Sequence, residues 1–136
     1  MCPGLDNANP TKDPCVKLLL QSHLEQLLAN GKRQDQDADF DPWPVVKLFT
    51  PDANCTWLIT ALDPDEPDRL WGLCDLGMGC AEYGTVWLPE LMCLRGKLGL
   101  PVERDLHFKA EGPISAYIAV SYPAGRIITN LPARAS

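Results

Sequence analysis

The chain has 136 residues, 46% of them apolar and 22% charged, with a formal net charge of −6. That length suits a single domain with one core that needs no metal or disulfide staple, and no apolar run approaches the roughly 18–20 residues of a membrane span. The negative charge disfavours direct binding to nucleic acid, where affinity comes from lysine and arginine displacing counterions; it suits a protein that meets a basic protein surface.

The opening MCPGLDNANPTKDP has neither a positive n-region nor an apolar core, so no secretory signal is expected and the cytoplasm is the expected compartment. Residues 1–12 read as a loose arm. Cys2, Cys15, Cys55, Cys74, Cys80 and Cys93 include no pair separated by two residues, and the six thiols are expected to be reduced and metal-free.

A first helix is predicted from Asp13, its cap, with Pro14 at the first helical position. Val16, Leu19, Leu20, His23, Leu24, Leu27 and Leu28 share one face, and Gly31 supplies a left-handed stop. His23, within the apolar stripe, reads as a satisfied or boundary histidine rather than a ligand. Lys32 to Pro42 reads as an acidic, mobile linker. Strands are then predicted over Pro44–Thr50, Cys55–Leu62, Arg69–Asp75 and Thr85–Leu88, joined by the turns TPDAN and DPDEPD and a glycine-bearing loop. Pro89 opens a short helix carrying Leu91, Leu94 and Leu98 and ending at Gly99. Val102–Lys109 alternates as a fifth strand, and Gly112–Pro113 begins a last helix that Pro123 ends, with 127–136 as a tail that frays. The expected fold is α+β: a mostly antiparallel sheet of about five strands with helices over one face. Leu20, Leu24, Leu27, Leu48, Trp57, Ile59, Trp71, Leu73, Val86, Leu91, Leu94, Leu106 and Phe108 form the expected core.

Two short segments concentrate the negative charge. Asp35, Asp37, Asp39 and Asp41 alternate like the start of a calcium loop, but Phe40 and Val46 stand where such a loop needs glycine and a bidentate glutamate. Asp63, Asp65, Glu66 and Asp68 occupy a proline-bearing turn. These eight residues, out of 18 acids in all, are the expected binding surface for a basic partner. The glycines of 72–84 match neither a dinucleotide nor a P-loop pattern, and no cofactor is expected. On ERDLHF, Glu103, Asp105 and His107 project to one side; with Asp75 or Glu82 they make the alternative, an acid–base or metal-dependent hydrolase. No serine lies in a nucleophile elbow, while a pair of Cys74 or Cys80 with His107 stays open.

KLFTPDANCTWLITALDPDEPD, WGLCDLGMG and VERDLHF, between Lys47 and Phe108, together resemble a bacterial family known as domain of unknown function 2958. It recurs on plasmids, phages and integrated mobile elements. The resemblance runs from the leucine-rich helix to Gly125 and marks Asp75, Leu76, Gly77, Glu82 and Gly84 as family positions. It implies an accessory protein of a mobile element, with inhibition of host defence as a sub-case. The leading expectation is a non-enzymatic protein-binding factor.

Overall fold

The computed structural model describes residues 18–131. Helix α1 spans Gln21–Gln36 and is followed by strands β1 (Val46–Phe49), β2 (Thr56–Leu62), β3 (Arg69–Asp75) and β4 (Ala81–Trp87), helix α2 (Leu88–Cys93), strand β5 (Glu103–Arg104) and helix α3 (Ile114–Ala124). The strands form one antiparallel sheet in the order β4-β3-β2-β1-β5. The fold is therefore α+β, a four-strand meander with β5 added beside β1. Among the described residues no helix is long and apolar enough to cross a membrane.

Each hairpin of the meander is closed by a short polar side chain at its start, the local bonding that favours Asp and Thr in turns. Thr50 Oγ1 accepts the Cys55 N–H at 3.0 Å, Asp63 Oδ1 accepts the Asp65 N–H at 2.8 Å, and Asp75 Oδ1 accepts the Gly77 N–H at 2.8 Å. The last of these turns also uses Gly77 and Gly79 at φ of +77° and +87°, a region closed to most L side chains.

Helices cover both faces of the sheet, where one covered face was expected. Leu27 of α1 and Leu91 of α2 pack with Val46, Leu48, Trp57, Ile59 and Leu70 on one side. Ile114 and Tyr117 of α3 pack with Leu58, Leu73 and Ala81 on the other. The cause lies in β2: TWLITAL is apolar at almost every position and buried from Trp57 to Leu62, so its second face also needs cover.

Helix α1 also departs from expectation, since it does not stop at Gly31. A Cβ there would lie 1.8 Å from the Leu62 carbonyl oxygen and 3.3 Å from Pro64 Cδ, so this glycine serves close approach rather than a left-handed turn. The helix continues through Lys32–Gln36, the first half of the expected linker. One residue before Gly31, Asn30 Nδ2 donates to the Thr60 carbonyl at 2.8 Å, where the β2–β3 register shifts between Ile59 and Ala61. The expected start at Asp13–Pro14 lies outside the described residues. His23 accepts the Leu20 N–H through Nδ1 at 3.1 Å and is satisfied, as expected.

Three expected core residues are exposed: Leu20, Leu94 and, at 75%, Leu106. Leu20 flanks α1 rather than lying in it, and α2 ends at Cys93, so Leu94 and Leu98 follow the helix. Leu106 turns outward because β5 has only two residues; Asp105 then accepts the His107 N–H at 2.9 Å and closes a turn. Leu24, Trp71, Val86 and Phe108 are half-buried; the remaining six expected core residues are buried.

Candidate functional site: an acidic end and an aromatic groove

Helix α1 runs alongside β2 in the same direction, with Asn30 against Thr60 and Gly31 against Leu62. Gly31 thus meets Leu62 and Pro64 at the end of β2, and an acidic segment follows the contact on each side: Asp35 to Asp41 beyond Gly31, and Asp63 to Asp68 in the β2–β3 turn. All of their carboxylates are exposed except that of Asp63, which is half-buried. They are not equivalent. Asp63 pairs with Arg69 at 3.7 Å and holds its own turn. Asp41 accepts the Ser115 N–H at 3.1 Å and a short hydrogen bond from the Ser115 hydroxyl, so it caps the start of α3 from a distant part of the chain. Asp37 Oδ1 accepts the Asp39 N–H at 3.0 Å. Asp35, Asp39, Asp65, Glu66 and Asp68 present their carboxylates outward.

A groove of about 310 Å³ lies between α1 and segment 40–45, lined by Asn30, Arg33, Phe40, Pro42, Trp43 and Val45 among others. The Arg33 guanidinium carbon sits 4.3 Å from the centre of the Phe40 ring. Trp43 is 53% exposed although Pro42 and Pro44 on either side are buried. Sequence reasoning took Pro44 as a strand start and missed Trp43; the signal was the Pro-Trp-Pro run, which pins the backbone on both sides of an aromatic side chain.

The alternative catalytic set is only partly assembled. Asp75, Thr56, Phe49 and Glu103 form one row across the sheet, from β3 through β2 and β1 to β5. Three strand spacings put Asp75 roughly 14 Å from Glu103. Glu103, Asp105 and His107 stay together, lining a shallow cavity of about 340 Å³ with Lys47 and Phe49. Within it Lys47 and Asp105 are 3.4 Å apart. The His107 backbone N–H holds the Asp105 carboxyl below the usual range; burial, the next-largest effect, opposes it, and the Lys47 charge adds to the lowering. Asp75 lines an adjoining cavity of about 640 Å³ with Lys47, Phe49 and Arg126, yet it is buried with both oxygens occupied, Oδ1 by Gly77 and Oδ2 by the Ile127 N–H at 3.1 Å. Its position is that of a brace between the β3–β4 turn and the chain leaving α3. Glu82 pairs in register with Cys74, which packs on the α1 side, so it faces away from the others. Among the described residues no group of three or more His, Cys, Asp and Glu is placed to hold a metal ion.

Burial, and then the Glu82 charge, push the Cys74 thiol up to about 11, which makes it a poor nucleophile, and it lies on the face away from His107. Cys55, Cys74 and Cys80 are free thiols, but Cys93 is disulfide-bonded, which corrects the expectation of six reduced cysteines. Spacing along the chain does not decide which thiols a fold brings within bonding distance.

A family model described as "Protein of unknown function (DUF2958)" matches residues 18–128, and the chain belongs to that family. No curated protein and no solved structure matches it.

Proposed function

We propose that this member of the family is a non-enzymatic accessory factor that binds another protein through its acidic end. In the specific form of this reading it belongs to a plasmid, phage or integrated element and inhibits a host defence system. The supporting observation is the close approach of Gly31 to Leu62 and Pro64, from which two exposed acidic segments lead on, one with Asp35, Asp37 and Asp39 and the other with Asp65, Glu66 and Asp68. Carboxylates clustered in such segments make a local negative field that steers a basic partner and fixes its orientation. The hydrolase alternative has less support, because Glu82 faces away from His107 and both Asp75 oxygens already accept backbone N–H groups.

Capture of partners from a host lysate tests the reading. The triple variants Asp35→Asn/Asp37→Asn/Asp39→Asn and Asp65→Asn/Glu66→Gln/Asp68→Asn should each lose capture while keeping the native fold. Asp105→Asn and His107→Gln should capture normally. A hydrolase would give the reverse: activity with divalent metal that survives the triple variants and disappears with the His107 change.

A further inference from the structure

We infer that the outer edge of β4 pairs antiparallel with β4 of a second copy of this chain, about a two-fold axis at Thr85. β4 ends the sheet, so one side of its backbone meets no other strand. Three hydrogen bonds fix which groups lie on that side. Arg69 C=O accepts the Asp63 N–H at 3.0 Å and Trp71 C=O accepts the Thr60 hydroxyl at 3.2 Å, so these β3 residues point towards β2. Their partners in register, Trp87 and Thr85, therefore point away from β3. Tyr83 follows the same alternation, since its N–H reaches the Tyr122 hydroxyl at 3.0 Å. Two of the groups turned outward are already bonded: Tyr83 N–H to Tyr122, and Trp87 C=O within the first turn of α2, whose N-cap is Trp87. The others, Tyr83 C=O, Thr85 N–H and C=O, and Trp87 N–H, have no partner among the described residues. These groups are complementary to themselves. With Thr85 opposite Thr85, each donates its N–H to the other's C=O, and Trp87 N–H of each copy donates to Tyr83 C=O of the other. The bond this pairing omits would join Tyr83 N–H to Trp87 C=O, the two groups already engaged. The side chains agree. The one charge on β4, Glu82, falls opposite Leu88 and not opposite itself. Trp87, 39% exposed, meets Tyr83 of the second copy as an aromatic cross-strand pair, with exposed Tyr122 beside it. AEYGTVW also lacks the lysine, proline or bulge that guards most sheet edges.

Sedimentation equilibrium and amide hydrogen exchange of the full chain test this at physiological salt, where repulsion between two chains of net charge −6 is screened beyond about 8 Å. The mass should rise from monomer to dimer between about 1 μM and about 1 mM, the range of a small interface. The Thr85 and Trp87 amides should exchange about tenfold more slowly in the dimer, while Gly84 and Val86, which face β3, stay protected at every concentration. Thr85→Lys sets like charges opposite each other at an exposed position; it should keep the chain monomeric, with the thermal midpoint of dilute wild type. A wild type that stays monomeric at about 1 mM would overturn the proposal. So would a dimer that Thr85→Lys leaves intact, or one whose Thr85 and Trp87 amides exchange as in the monomer.

Discussion

Gly31 and Gly84 bracket what a single methyl group does in this molecule. At Gly31 an added Cβ meets the Leu62 backbone at 1.8 Å, and at Gly84 it meets nothing within 4 Å. Alanine ordinarily gains about 1 kcal/mol over glycine within a helix. A clash against backbone outweighs that gain, so Gly31→Ala should lower stability by about 2 kcal/mol, whereas Gly84→Ala should stay within about 0.5 kcal/mol; urea unfolding measures both. His23 gives a pH prediction at the same scale. Burial, with the Arg104 charge second, lowers its pKa from the ordinary 6.5, and the neutral ring is the form that accepts the Leu20 N–H. Because the folded state resists protonation, this contribution to stability is present above pH 6.5 and is lost as pH falls through the folded-state value. Nuclear magnetic resonance titration should place the His23 midpoint below 6.5, and His23→Gln should flatten the stability curve between those two pH values.

At the scale of elements, the turns were legible because Thr50, Asp63 and Asp75 do local chemistry that needs no tertiary context. Strand β5 was misread in length. VERDLHFK alternates as a strand should, but pairing with the four-residue β1 covers only Glu103 and Arg104, and Asp105 then bonds to its own turn. The end of α1 was misread because a glycine needed for contact and a glycine needed for positive φ look alike in a sequence. Three substitutions probe the elements. Trp57, buried where β2 meets α1, should cost about 3–5 kcal/mol as Trp57→Ala, and half-buried Trp71 distinctly less. Asp41→Ala should remove the remote cap of α3 and cost about 1 kcal/mol, read by urea unfolding. Asp41 is for that reason kept out of the charge variants: its loss would weaken the fold as well as the surface.

For the whole molecule, a net charge of −6 reveals its amount but not its arrangement. The acidic segments were legible as clusters; the contact from which both lead on was not, because it depends on a helix that runs past Gly31 and leans on Pro64. The dispersal of Asp75, Glu82 and Glu103 was hidden for a related reason, since strand order and face are set by pairing across the sheet. The binding account is tested most directly by the association rate of the captured partner at about 50 mM and about 500 mM salt, where the screening length falls from about 14 Å to about 4 Å. The wild type should associate faster at low salt, by roughly tenfold or more. A variant neutralised at Asp35, Asp39, Asp65, Glu66 and Asp68 should associate slowly at both and converge with the wild type at high salt. Equal rates for the two proteins at low salt would contradict the account.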